Sequence, residues 1–401
     1  MLALAVVLSA CGGSSSSTGK ARTPTPTTTA TPTATPTATA TATATPTPEP
    51  VASGDVLFAG GLGSQQRDTE LYKAATNTFA PPGTTAVMNN SRSGPTATRL
   101  INGKILIAGG FIPGPKGAPT PVASTELYDP STDSFAAMPP TMTSAHDFGT
   151  ATLLNNGKVL ITGNEPSTDL YDPASNSFAA GPSMNEARPS GVAILLSNGK
   201  VLIVGGGLLG PDVTTELYDP ISNAFAPPNQ TPAMNVATSG PAVMDLGNGK
   251  VLIAGGVGNS GPTASTELYD EATNSFEPPA STPVMNQARA FPAIAMLNTG
   301  KVLIVGGRNP NSAGSSLASC ELYDPASNTF APANQTPTLN IVRQNLVATV
   351  LDNSVVLIEG GPDNQNNPVQ QVELYDPIKN VFTLGPNTTL PQELNTATLI
   401  K

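Results

Sequence analysis

The chain has no tryptophan, one histidine and two cysteines among its 401 residues. His146, Cys11 and Cys320 leave too few soft ligands for a zinc centre. A Ser–His–Asp triad would have to use His146. The adjacent Asp147 is no evidence for one, because a triad is a spatial arrangement. Two cysteines at opposite ends of the chain make no disulfide framework. Charge is scarce at 11%, and 28 acidic residues against 18 basic ones give a net charge of −10. That balance argues against nucleic acid and anionic lipid surfaces as partners. No apolar run reaches the roughly 20 residues needed to cross a bilayer as a helix. The chain is instead rich in Gly and Pro, 38 and 41 residues, with many Ser, Thr and Asn, which suits an extracellular surface.

The first segment, Met1 to Ala10, is apolar and ends in small residues, as a secretory signal does. Leu8-Ser9-Ala10-Cys11 resembles the lipobox of bacterial lipoproteins. The resemblance implies lipidation of Cys11, extracytoplasmic display and anchoring to a membrane of the bacterial cell envelope. The alternative is a buried strand that contains a Cys. Residues 12–50 read as a disordered linker. From Thr23 to Pro50 they are almost only Thr, Pro and Ala, with too little apolar surface to offset ordering entropy. In polyproline II form those 28 residues reach roughly 85 Å, at about 3.1 Å per residue. The expected organisation is a leader over 1–11, a stalk over 12–50 and a folded domain over 51–401.

A tetrapeptide of the form Glu-Leu-Tyr-Asp recurs around Tyr72, Tyr128, Tyr171, Tyr218, Tyr269, Tyr323 and Tyr375. A Phe follows each Tyr seven residues later, from Phe79 to Phe382. The spacing averages about 50 residues, which means repeated supersecondary units. All seven Tyr fall in the repeat.

The stretch from Thr150 to Ala180 reads as four strands. Strand A covers 150–154, strand B 159–161, strand C 168–172 and strand D 177–179. Asn156-Gly157 joins A to B, as Asn102-Gly103, Asn198-Gly199 and Asn248-Gly249 do elsewhere. Asn-Gly predicts a type I′ hairpin, with positive φ at both residues. Strand B is apolar throughout, so both its faces are buried. Glycine pairs such as Gly109-Gly110 and Gly255-Gly256 end it, where backbones approach closely.

Strand B with its Gly-Gly, the Glu-Leu-Tyr-Asp strand and the later aromatic are together similar to the kelch motif. The resemblance covers residues 55 to 401, with Phe where kelch repeats usually carry Trp. It implies an all-β, seven-bladed β-propeller with four antiparallel strands per blade. No strand A precedes Val56, and Thr396 to Ile400 is a strand A with no strand B after it. Residues 396–400 are therefore expected to pair with Val56 to Ala59 and close one blade from both termini.

In such a blade the A–B and C–D turns share one face. The B–C and D–A loops share the other, where length varies and recognition is expected. Each D–A loop has a Met or Leu, and four residues later come Arg92, His146, Arg188, Thr238, Arg289, Arg343 and Leu394. Four of the eight Arg and the only His thus share one repeat position. Two readings follow. Arg92, His146, Arg188, Arg289 and Arg343 could form a ligand-binding ring at the channel mouth, suited to an acidic ligand. Alternatively they pair with acids such as Glu126 and Glu216, or with carbonyls between blades.

Kelch propellers include a copper oxidase acting on galactose and a sialic acid isomerase. The resemblance to the first would need two His and two Tyr as copper ligands, which this chain does not supply, so no cofactor is expected. The Asp-Pro-x-x-Asn turns lack calcium-loop spacing. The carboxylates expected on the loop face are Asp68, Asp147, Glu165, Glu186, Asp212, Asp363 and Glu393, and no pair has a spacing that suggests acid–base work. The expected function is a monomeric, lipid-anchored binding module for a glycan or protein. The alternatives are a metal-independent sugar-active enzyme and a structural envelope protein.

Overall fold

The computed structural model describes residues 50–61, 67–114, 118–207, 210–311, 315–390 and 395–401. The leader, Cys11, nearly all of the stalk, Glu393 and Leu394 lie outside the described residues.

The fold is a seven-bladed β-propeller whose blades each carry an A–B–C–D antiparallel meander. Blade 3 is representative: Thr150–Leu153, Val159–Thr162, Asp169–Asp172 and Ser177–Ala180. Strands B of the seven blades start at Val56, Ile105, Val159, Val201, Lys250, Val302 and Val356, and each is buried along most or all of its length. Alternate residues of strand B enter different cores. Leu57 packs towards blade 2 with Ile105 and Ile107, while Val56 and Phe58 pack towards blade 7 with Leu357. The apolar run predicted for strand B thus fills the junctions on both sides, and each junction between neighbouring blades has its own core.

Closure follows the sequence expectation. Asn395–Leu399 is strand A of blade 1, and Val56 pairs with Leu399 and Ala59 with Thr396. Ile400 N donates to Asp55 O at 2.8 Å just beyond this pairing. The A strands touch one another around the ring, and that of blade 1 touches those of blades 2 and 7.

The repeat's Tyr has two uses. Its ring meets the Phe of strand D, with centroids between 4.9 Å in blade 7 and 5.5 Å in blade 1. Its hydroxyl donates to the carboxamide of the C–D turn, as Tyr171 does to Asn176 Oδ1 at 2.9 Å. Asn176 is left-handed, with φ 50°. All seven Tyr make this bond, with Asp133 as the acceptor in blade 2.

Two expectations need correction. The Asn-Gly hairpins are not type I′. Gly157 is left-handed at φ 81°, but Asn156 is not among the left-handed residues. Gly157 N donates to Leu154 O at 2.9 Å, and Leu154 N donates to Lys158 O at 2.8 Å. This is a three-residue loop, a type I turn closed by a left-handed glycine. Asn156 Oδ1 accepts from Lys158 N at 3.0 Å, so the Asn works through its side chain. The second correction concerns blade 6. The D–A segment Thr338–Arg343 is a strand pairing with an elongated strand C, Leu317–Asp324, around a register shift.

Cys320 lies in that strand C, and burial pushes its thiol up to about 12. It is a packed core residue. No helix among the described residues is long and apolar enough to cross a membrane.

Candidate functional site

The shared Arg position is an internal latch. Arg92, Arg289 and Arg343 are fully buried, and Arg188 and His146 nearly so. Arg289 Nη1 donates to Gly306 O at 2.7 Å and Ser319 O at 2.8 Å, and its Nη2 lies 3.1 Å from Glu321 Oε1. Arg92 repeats this with Gly109, Ser124 and Glu126, and Arg343 with Gly360, Gln371 and Glu373. Arg188 bonds Gly205 O and Thr214 O, with Glu216 Oε1 3.5 Å from its Nε. Thr238, which has no guanidinium, keeps one of these bonds, to Gly255 O at 2.8 Å.

Each acid is held from the other side by the same D–A loop. Glu321 accepts from the Asn286 amide at 3.1 Å and the Gln287 amide at 3.0 Å. His146 Nε2 meets Asp169 Oδ2 at 2.9 Å. Burial pushes Asp169 up, but the bonds from His146, Thr143 and Ser144 outweigh it and hold the carboxyl below its usual range. Burial lowers the Arg92, Arg289 and Arg343 pKa values, opposed by Glu126, Glu321 and Glu373 respectively. Of the two readings left open by the sequence, pairing with the chain's own acids and carbonyls is what the geometry contains. Arg92, Arg289 and Arg343 do not reach the surface, and Arg188, 3% exposed, stands at the back of a small recess with Asn185, Glu186 and Thr214.

Glycine pairs tie one blade to the next at the same level. Gly110, φ 86°, donates its amide to His146 O at 2.8 Å. A Cβ there would lie 2.4 Å from Ser93 O, so no other residue fits.

The open site lies beside the ring, over blade 3. The B–C loop of blade 3 is short, with Glu165 and Pro166 at its tip. The loops around it are longer. Blade 2 raises a hairpin, Phe111–Pro113 with Pro119–Pro121, and blade 4 raises the loop around Asp212. A cleft of about 630 Å³ opens between blades 3 and 4, lined by Glu165, Asn185, Glu186, Gly210, Pro211 and Asp212 among others. Thr214 Oγ1 lies 2.8 Å from Asp212 Oδ2 and 3.2 Å from Glu186 Oε2, and accepts from Arg188 Nη2 at 2.7 Å. Burial pushes Asp212 up, but the Thr214 amide and hydroxyl, with Arg188 nearby, hold it below its usual range. Asp147, held by Asn164 Nδ2 at 2.8 Å, is raised by its burial.

The carboxylates Glu165, Glu186 and Asp212 were placed on this face by the repeat register, but their convergence was not. The available signal was loop length, because the shortest B–C loop leaves a depression between longer ones. Of the other carboxylates, Asp363 accepts from the amides of Gln365 and Asn367 in its own turn. Among the described residues, no group of three or more His, Cys, Asp or Glu is placed to hold a metal ion.

No protein-family model matches the chain, and no curated protein matches it. Among solved structures it is similar to a fungal alcohol oxidase of the AA5 family with catalytic diversity, solved with copper. The TM-score is 0.61 and the identity 18%, over 75% of this chain and 66% of that one. The chain thus spans just under two-thirds of the oxidase. It is also similar to YjhT, with a TM-score of 0.50 and 14% identity, over 74% of this chain and 98% of that one. At such identities the likeness establishes the fold. Together with the repeat, it defines a kelch-like β-propeller.

Proposed function

We propose that this propeller is a binding module, and that its ligand sits in the cleft between blades 3 and 4. The observation that carries this reading is the cleft itself, open on the face where loop lengths differ and walled by apolar surface with a few carboxylate and amide groups on a rigid frame. Its lining sets the carboxylates of Glu165, Glu186 and Asp212 and the Asn185 amide among the apolar Pro166, Ala187 and Pro211, while the nearest guanidinium, Arg188, is buried. The expected ligand is therefore a neutral or cationic glycan or protein surface, in place of the acidic ligand that an open cationic ring would select. The proposed display is extracytoplasmic, with the chain anchored by lipid at Cys11 and the Thr/Pro stalk as spacer. It is supported by the lipobox resemblance and the composition of residues 12–50.

Copper chemistry of the kind named for the oxidase does not fit these residues. The single His is buried on Asp169, and every Tyr hydroxyl is bonded to a C–D turn. A second reading, a metal-independent sugar-active enzyme, is favoured by the two carboxylates that meet at Thr214.

The test is a glycan array and a surface pull-down with the whole chain, repeated with Glu186→Gln/Asp212→Asn. Loss of the retained ligand in the double variant supports the cleft, and unchanged retention overturns it. Turnover of a bound glycan would favour the enzyme. For the anchor, Cys11→Ser should move the chain from the membrane to the soluble fraction.

A further inference from the structure

The aromatic side chains of this protein are absorbed by the scaffold except on the loop face. Of 11 Phe, seven pair with the repeat Tyr and Phe58 is in strand B of blade 1. The other three, Phe111, Phe148 and Phe291, all stand on the B–C and D–A loops. Phe148 is 40% exposed, the only aromatic among the exposed large apolar residues described.

Its backbone is also unusual. Phe148 is left-handed, with φ 46°. It stands two residues after the latch position, and the equivalents Gly94, Ser190, Gly240, Phe291 and Asn345 are left-handed too, with φ between 50° and 61°. Six of the seven blades hold this conformation here, which Gly adopts freely and a bulky side chain adopts only under strain. Strain of this kind tends to collect at ligand sites. At blade 3 it keeps an aromatic ring on the surface. At blade 6 Phe291 reaches over Gly240 instead and stays half-buried.

Phe148 stacks on Phe111, with centroids 5.2 Å apart and planes tilted by 31°. Gly94 lies against the pair, where a Cβ would touch Phe111 at 3.5 Å, and its φ of 57° is one that Gly adopts freely. Asp147, next to Phe148 in the chain, is tied to Asn164, whose neighbour Glu165 lines the cleft. Asn164 donates to Asp147 Oδ1 at 2.8 Å, its own Oδ1 is shielded from solvent with no partner, and Glu165 stands next to it. An aromatic face flanked by hydrogen-bond acceptors matches one chemical class well. A sugar ring presents apolar C–H groups on its face and hydroxyl donors on its rim.

We propose that Phe148, stacked on Phe111 and flanked by Asp147, Asn164 and Glu165, is a platform for the ring of a neutral sugar at the edge of the blade 3–4 cleft. The flanking carboxylates exclude anionic sugars. This rests on the cleft reading above and names its ligand class.

The test uses the whole chain on an array of neutral hexose and pentose oligosaccharides, followed by calorimetric titration of the best-retained one. Phe148→Gly removes the ring and relieves the left-handed strain. It should weaken binding by about tenfold or more while the melting temperature holds or rises. Phe148→Tyr, which keeps a ring, should weaken it far less. The platform is overturned if no neutral oligosaccharide is retained, or if Phe148→Gly binds as the parent does. If Phe148→Gly keeps its affinity while Glu186→Gln/Asp212→Asn loses it, the platform fails and the cleft stands. If both variants keep their affinity, both readings fail.

Discussion

At the scale of single residues, the molecule is held by latches that sequence register finds but does not interpret. The alignment of Arg92, Arg188, Arg289 and Arg343 was legible in the sequence. Their burial was not, because it depends on acids 28 to 34 residues later that fold back onto them. Removing one partner of such a buried pair leaves an uncompensated charge. Arg289→Ala should therefore destabilise the protein by about 3–5 kcal/mol in chemical unfolding. Any loss of binding in that variant reports on the fold rather than on contact with a ligand. Tyr269→Phe removes only the hydroxyl bond to Asn274, and about 1 kcal/mol should be lost. Glu359 is a different case. It replaces the small residues that end other B strands and is fully buried, held by Asn395 Nδ2 at 3.1 Å on both oxygens. Burial pushes its carboxyl up to about 8 from an ordinary 4.5. The folded chain then keeps a proton that the unfolded chain releases. The resulting stability is fully present below about pH 4.5 and is lost as pH rises through about 8. Thermal melts across that range should fall with pH in the parent and flatten in Glu359→Gln.

At the scale of elements, strands were more legible than turns. Strand B was found because its residues are apolar on both faces, and strand C because its tetrapeptide recurs. The Asn-Gly pairs located the A–B hairpins but suggested the wrong geometry. A three-residue loop needs only one left-handed residue, and the Asn contributes its side chain instead. Gly249 isolates that demand, with φ 80° and open space around a Cβ. Gly249→Ala should cost about 1–2 kcal/mol from backbone conformation alone, measurable by urea titration. The candidate site was legible only in part. The register put its carboxylates on one face, but the cleft comes from the contrast between one short loop and its long neighbours, and a repeat pattern carries no such contrast.

At the scale of the whole molecule, the ring works because its ends are the two halves of one blade. That closure is legible in the sequence, because the A-strand pattern of residues 396–400 has no B strand after it and Val56 has no A strand before it. Deleting residues 395–401 leaves an open edge on strand B of blade 1 and uncovers part of the core shared with blade 7. Size-exclusion chromatography of that truncation should show aggregation, and calorimetry should show no cooperative transition. Closure also sorts the loops by face. Tight turns of uniform length occupy one side, while the other carries the latches beneath, the cleft and the Phe148–Phe111 pair. Hydrogen exchange with and without the glycan or protein retained by the intact chain tests this most directly. Protection is predicted in residues 164–167, 185–188 and 210–214. Protection confined to the A–B and C–D turns, such as 101–104 and 172–176, would contradict it.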